Sequence, residues 1–272
     1  MNSEEFSKYN GEETPLRAAQ LRMLSILVEI DKVCRKHNIT YWLDYGTLLG
    51  AVRHKGFIPW DDDVDICVMR KDYNKLRKYL QQELPEQFVF TDWTTDKYIF
   101  SNYARVRDKK SYCYYPYFTK QKEQGLWVDI FKMEEVPSMN TKKMIDFLYG
   151  RVFREIHHFG DVAYTSTFRR YFVRLLAYIA FPFVFIIIII ARLFAPFGKG
   201  LITPSYSTNP YHCRRYAKNI FPCTEFEFEG HKFFAPKDYD THLKLIYGDY
   251  MKLPPEEKRI NVIDLGSIKF FD

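Results

Sequence analysis

Little in this chain suits a disulfide or zinc scaffold. Its five cysteines, Cys34, Cys67, Cys113, Cys213 and Cys223, form no CxxC pair, so zinc-ribbon spacing is absent. Their odd number cannot close a full disulfide framework, and idle or buried thiols in a reducing compartment are expected. No run of Lys and Arg and no RNA-binding motif stands out, which argues against a nucleic-acid partner. The net charge of +6 still suits anionic substrates or an anionic membrane surface. The opening residues, MNSEEFSKYNGEE, are polar and acidic and lack the charged start and apolar stretch of a signal peptide, so a cytoplasmic chain is expected. No internal repeat appears, and low complexity is confined to the isoleucine run at 186–190.

Apolar and aromatic residues, by contrast, are plentiful. Hydrophobic residues make up 47% of 272 positions, enough to bury a sizeable core. Aromatics reach 18%, which fits a core together with sugar-stacking or membrane-interface surfaces.

The chain is organised around Tyr41–Met69, YWLDYGTLLGAVRHKGFIPWDDDVDICVM. Tyr41–Tyr45 reads as a strand, and Gly46-Thr47 as a strand-to-helix junction offering N–H groups and a hydroxyl to phosphate. Leu48–Val52 reads as helix, closed by Arg53 and His54, with Arg53 two turns from Thr47 and able to reach a pyrophosphate. After a turn at Lys55–Pro59 come Trp60 and the acids Asp61, Asp62, Asp63 and Asp65. In DVDICVM, Val64, Ile66 and Val68 alternate toward a core, so Asp63 and Asp65 share the other face. Asp61 joins them if the strand extends back that far. An isolated Asp triplet is usually a solvated turn. Alternation with Val and Ile, after a Gly-Thr element, argues for a site instead. Crowded carboxylates take up protons or need a cation, and hard oxygen donors suit Mg²⁺ or Mn²⁺. Metal-holding acids beside a phosphate cradle suggest phosphoryl or nucleotidyl transfer.

The run GTLLGAVRHKGFIPWDDDVDI resembles the signature of the LicD family, which includes fukutin-type proteins and is similar to the DNA polymerase β-like nucleotidyltransferases. The resemblance implies transfer of a phospho-alcohol, typically phosphocholine or ribitol phosphate, from a CDP-linked donor to a glycan hydroxyl. On the residues' own chemistry Asp61, Asp63 and Asp65 are the expected metal holders and Gly46, Thr47 and Arg53 the donor-phosphate residues, a surface arginine being the alternative for Arg53. The resemblance also implies a third carboxylate on a later strand. Asp129, in the middle of the apolar strand GLWVDIF (Gly125–Phe131), matches that place, and an acid there is costly without a partner. The run APKDYDTHLKLIYGDYMKLPPEEKR resembles the family's C-terminal signature and makes Lys237, Tyr247, Asp249 and Arg259 acceptor- or donor-site candidates.

The remaining segments read more simply. Thr14-Pro15 starts a helix whose apolar stripe, including Leu21, Leu24, Val28 and Ile30, runs to about Lys36, with His37 as a polar helix end. Asp72–Leu84 reads as a helix closed by Pro85. Phe88–Phe90 and Tyr98–Val106 read as strands. Arg105 and Arg107 share one face of the second; Arg107 is a possible phosphate contact, but solvated edge charges are the favoured reading. Ser111–Phe118 is an aromatic loop or strand, and Thr141–Phe159 a helix with His157-His158 as cap or surface residues. Glu225–Phe234 reads as a hairpin turning at Glu229-Gly230, and Asp238–Tyr247 as a helix closed by Gly248.

Leu175–Ala191 carries no charge and sits between Arg169, Arg170 and Arg174 on one side and Arg192 and Lys199 on the other. Pro182 is expected to interrupt it. An in-plane or re-entrant helix anchored by arginine is the preferred reading, with a buried core helix and a true span as alternatives. The expected fold is α/β, a mixed sheet flanked by helices. Residues 1–14 form a polar tail, 15–160 the catalytic core and 161–200 the hydrophobic insert, and 201–272 complete the core domain. The activity expected is a metal-dependent phosphotransferase releasing CMP. It would act on a glycan or lipid-linked glycan at the inner face of the membrane. A nucleotidyltransferase proper, or a non-enzymatic membrane- or glycan-binding scaffold, is the alternative.

Overall fold

The computed structural model describes residues 3–96, 98–99, 103–116, 119–157, 167–206, 214–261 and 263–271. The chain forms two compact units. The first takes Met1–Ile99, Tyr103–Lys132 and Asn219–Asp272; the second takes Phe100–Asn102 and Met133–Lys218. The fold is α/β, with a mixed sheet flanked by helices, as the sequence predicts.

The first unit opens with helices α1 (Ser3–Asn10) and α2 (Pro15–Lys36). Thr14 caps α2 by accepting the Arg17 N–H at 3.2 Å, and Pro15 takes the first turn, where its missing N–H costs nothing. Ala19, Met23, Ile26, Leu27 and Ile30 recur at helical spacing and are fully buried. Each such apolar side chain contributes roughly 1.5–3 kcal/mol. Leu21, expected in this stripe, lies off it and is exposed. His37 caps the helix C-terminus, 2.7 Å from Glu83 and stacked on Tyr79.

Strand β1 (Tyr41–Leu43) leads to α3 (Tyr45–His54), β2 (Asp65–Met69), α4 (Arg70–Glu83), β3 (Phe88–Thr91), β4 (Ala104–Asp108), β5 (Ser111–Tyr112) and β6 (Trp127–Glu135). The sheet order is β1-β2-β6-β4-β3. Strand β1 runs antiparallel to β2 with Tyr41 opposite Val68, and β4 antiparallel to β6 with Arg105 opposite Asp129. Strand β4 begins later than the expected Tyr98, and residues 100–102 lie outside the described set.

Past Lys132, β6 continues into the second unit, where Met133–Glu135 pair with β7 (Leu201–Pro204). Helices α5 (Met139–His157) and α6 (Thr167–Leu193) precede β7, and β8 (Arg215–Tyr216) pairs with it. Val136, Ile145, Val184, Ile188 and Ala191 make this unit's core. Helix α6 runs unbroken through Pro182, which corrects the expected interruption. Proline removes one backbone hydrogen bond and crowds the carbonyl four residues back, a local cost that the long apolar helix on both sides outweighs. Tyr171–Leu193 is long and apolar enough to cross a membrane by length and composition, and apart from the side that carries Val184, Ile188 and Ala191 most of its large side chains are exposed, unlike those of an enclosed core helix. Of the pair His157-His158, His158 lies outside the described residues, as does Cys213.

A single turn, α7 (Ala217–Ile220), returns the chain to the first unit. There β9 (Thr224–Phe228) and β10 (His231–Ala235) form the expected hairpin, with Glu229 and Gly230 at positive φ in its turn. Asp238 caps α8 (Tyr239–Tyr247), and β11 (Lys269–Phe270) pairs with β5. The hairpin buries Phe228 and Phe233 in the main core with Leu243 of α8.

Candidate active site

The N-terminus of α3 builds one side of the site. Asp44 leaves β1 in an extended conformation, its carboxylate accepts the Tyr45 N–H at 2.8 Å, and its carbonyl accepts the Leu48 N–H. The helix therefore starts at Tyr45, and Gly46 and Thr47 lie in its first turn. A Cβ on Gly46 would stand 2.7 Å from Oδ2 of Asp61, so the bare glycine lets the Asp61 carboxylate lie against the helix start. Helix N-termini favour negative charge. The Thr47 hydroxyl, buried, accepts the Asp65 N–H at 2.8 Å and ties α3 to the first residue of β2.

The clustered acids act on one another's charge. Asp61 and Asp63 are half-buried and Asp65 is buried. The Asp129 N–H donates to the Val64 carbonyl at 2.8 Å, which brings β6 alongside this stretch. Burial, followed by the charges of Asp129 and Asp62, pushes the Asp63 carboxyl up to about 7. Burial, then Asp63, Asp129 and Asp61, holds Asp65 well above the usual carboxylate range. Burial, then Asp63 and Asp62, does the same to Asp61, against the opposing charge of Arg53. Asp62 has a separate structural attachment: it is buried, and its Oδ2 accepts the Ile263 N–H at 2.5 Å.

Asp129 is held from two directions. Its Oδ1 stands 2.7 Å from Nε of Arg105, and its Oδ2 accepts the Trp127 Nε1–H at 3.0 Å. Burial raises its pKa, and the Arg105 charge pulls it back. This corrects the reading of Arg105 and Arg107 as solvated edge charges. Strand β4 lies between β6 and β3, so both arginines are enclosed, at 4% and 0% exposure. The Arg105 guanidinium also lies over the Tyr103 ring at 4.7 Å. Arg107 donates to the Gly125 carbonyl and to Gln121. Burial, with Arg105 next, pushes it down to about 9.

The C-terminal segment reaches the same neighbourhood. Arg53 donates to the Tyr250 carbonyl at 3.0 Å and to the His54 ring at 2.9 Å. Burial lowers its pKa, and its electrostatic neighbours are Asp61, Arg259 and Tyr247. Arg259 lies 4.9 Å over the Trp60 ring, and Trp60 itself is buried among Phe6, Tyr9 and His54. Lys237 and Asp249 are exposed; the Lys237 backbone N–H donates to Ile220.

Two further residues escaped the sequence reading. Asp44 and His242 are fully buried and 198 positions apart in sequence, yet Oδ1 of Asp44 is 2.9 Å from Nε2 of His242. Trp42 and Cys67 also donate to Asp44. The only local signal was an acid between a short strand and an apolar helix, the position of an N-cap.

The donor set of Asp61, Asp63, Asp65 and Asp129 is all carboxylate oxygen, the kind Mg²⁺ and Mn²⁺ take. Among the described residues no three acidic, histidine or cysteine side chains converge on one point. Mg²⁺ needs only one or two carboxylates when water and substrate phosphate complete its shell. Asp63 and Asp65 are two such carboxylates, and Asp65 feels the charge of Asp63.

Residues 38–160 match the family model described as LicD/FKTN/FKRP, nucleotidyltransferase domain. The chain is 31% identical over 255 residues to the lipopolysaccharide cholinephosphotransferase LicD of Haemophilus influenzae, covering 89% of this chain and 93% of that one. It is 32% identical over 73 residues to the human ribitol 5-phosphate transferase FKRP, which is 27% of this chain and 15% of that protein. An uncharacterized protein of Rickettsia prowazekii is 46% identical over 73 residues, 26% of each chain. Because the likeness to the cholinephosphotransferase runs nearly end to end in both proteins, this chain belongs to the LicD family.

Proposed function

We propose that the chain moves a phospho-alcohol, phosphocholine or a polyol phosphate, from a CDP-linked donor to a hydroxyl of a cell-surface glycan or its precursor, releasing CMP. The observation that carries this reading is that the Asp129 N–H reaches the Val64 carbonyl at 2.8 Å, bringing β6 beside the residues between Asp63 and Asp65, with Asp63 feeling the charge of Asp129 and Asp65 the charges of both. The names of two relatives, a cholinephosphotransferase and a ribitol 5-phosphate transferase, support the class of group transferred.

Asp63 and Asp65, with Asp61 beside them, would hold Mg²⁺ or Mn²⁺. Such an ion, when bound, neutralises charge on the donor pyrophosphate. Arg53 and Arg259 repel each other near Asp61, and an anionic pyrophosphate relieves that repulsion. The first turn of α3, with Gly46 and Thr47, adds the favourable end of a helix dipole. Asp129 takes the proton from the acceptor hydroxyl. Burial makes it a better base than a free aspartate, and Arg105 and Trp127 fix its orientation. The acceptor oxygen bonds to the phosphorus bearing the alcohol, the bond from that phosphorus to the CMP oxygen breaks, and CMP leaves.

The test incubates the purified chain with CDP-choline, CDP-ribitol, CDP-glycerol and nucleoside triphosphates, with and without Mg²⁺. Metal-dependent CMP release that rises with a glycan acceptor is expected. Pyrophosphate released from a triphosphate, or no turnover of any CDP-alcohol, would reject the reading.

A further inference from the structure

Helix α6 has two apolar sides. One carries Val184, Ile188 and Ala191 and is buried against the second unit's core. At 100° per residue the opposite side carries Ile179, Phe183, Ile186 and Ile190, all 47–62% exposed. Between Leu175 and Ala191 there is no charged residue on any side.

We propose that this outer side of α6 beds into the acyl layer of an anionic membrane leaflet, with the helix lying in the membrane plane. Charge supports the choice of lipid. Residues 133–218 contain twelve Lys and Arg against five Asp and Glu, a net +7 that exceeds the +6 of the whole chain. Arg169 before the apolar run and Lys199 after it are exposed, as are Lys143 and Arg151 on α5. Cationic residues bordering an apolar helix face are the pattern that binds anionic headgroups.

The partner helix decides between lying and crossing. Helix α5 packs along α6, where Arg174 donates to the Ile156 carbonyl, while Arg192 ties the far end of α6 to Glu134 of β6 at 2.7 Å. Helix α5 carries the buried Lys142–Asp146 ion pair besides its exposed Lys143 and Arg151. If Tyr171–Leu193 crossed the bilayer, α5 would be drawn into hydrocarbon with these charges, where they are costly. Lying flat leaves α5 on the water side and only the outer face of α6 in lipid.

The experiment uses the full chain in vesicle flotation. Recovery with mixed phosphatidylglycerol–phosphatidylcholine vesicles is expected, falling several-fold on pure phosphatidylcholine. Replacing Ile179, Phe183, Ile186 and Ile190 together by Ser should cut the bound fraction about tenfold, with helicity and melting temperature kept. Orientation is read on otherwise wild-type protein by an impermeant maleimide. Phe168→Cys and Phe197→Cys should both label from the same side of the vesicle, above the wild-type background. Wild-type protein that stays at the bottom of the gradient overturns the proposal. So does labelling from opposite sides, which means a span, or a vesicle-free dimer abolished by the four serines, which means a second copy covers the face. None of these readouts depends on the transferase reading.

Discussion

Arg105 and Asp129 face each other across β4 and β6, paired in register and joined at 2.7 Å with both side chains almost out of water. Removing the guanidinium strands a buried carboxylate. Arg105→Ala should destabilise the protein by about 3–5 kcal/mol, read by urea unfolding. Arg105→Lys should recover only part of this, since a point charge on a flexible stem replaces a planar fork.

Asp63 and Asp65 repel their neighbours in the folded chain. Asp63→Asn and Asp65→Asn should each cut turnover by roughly a hundredfold or more, as loss of a charge-handling group does. In metal-free buffer the same variants should melt no lower than wild type, because like-charge crowding is relieved. A variant that kept full turnover would remove that residue from the site.

The pH dependence follows from the same groups. Asp63 binds its proton more tightly folded than unfolded, with a folded value of about 7. Folded protein therefore holds more protons between about pH 4 and 7, and metal-free stability should fall as pH rises through that window. Asp61, Asp65 and Asp129 are raised as well and act with the same sign. Under the proposed metal role, excess Mg²⁺ competes with those protons, so its gain in melting temperature should grow with pH. A gain that is flat with pH would count against these acids as ligands.

Asp62 should behave differently from its neighbours. Asp62→Ala leaves the buried Ile263 N–H without its acceptor and should cost about 1–3 kcal/mol. Its Mg²⁺-dependent thermal shift should survive. A lost shift with unchanged stability would reverse the assignment.

His242→Ala should cost about 1–3 kcal/mol, since it removes a partner from the buried Asp44 carboxylate that caps α3. His242→Gln, which keeps a donor, should recover much of it. Equal loss in both would mean that packing, not the hydrogen bond, is what His242 supplies.

Local pattern was enough to find most elements. Alternation in DVDICVM found β2 and singled out Asp63 and Asp65, but the strand begins only at Asp65, so Asp61, Asp63 and Val64 precede it; a lone acid in GLWVDIF singled out Asp129. Thr14-Pro15 and Glu229-Gly230 announced a helix start and a hairpin turn through their own backbone preferences. Arg105 misled, because a charged pair on a strand looks the same whether the strand is at an edge or inside the sheet. Strand order settles that, and it depends on pairings between segments distant in sequence. Asp44 showed only as an N-cap candidate, and nothing local linked it to His242, 198 residues away.

From the residues themselves came the family, the α/β class and the long apolar segment, because periodicity and motif spacing are properties of a short stretch of chain. Tertiary structure alone decided which guanidinium meets Asp129, that Asp62 ties down Ile263, and that α6 turns its isoleucine and phenylalanine side chains outward. Burial and charge pairing are set by what packs against a residue, and a linear sequence does not say which neighbour that will be.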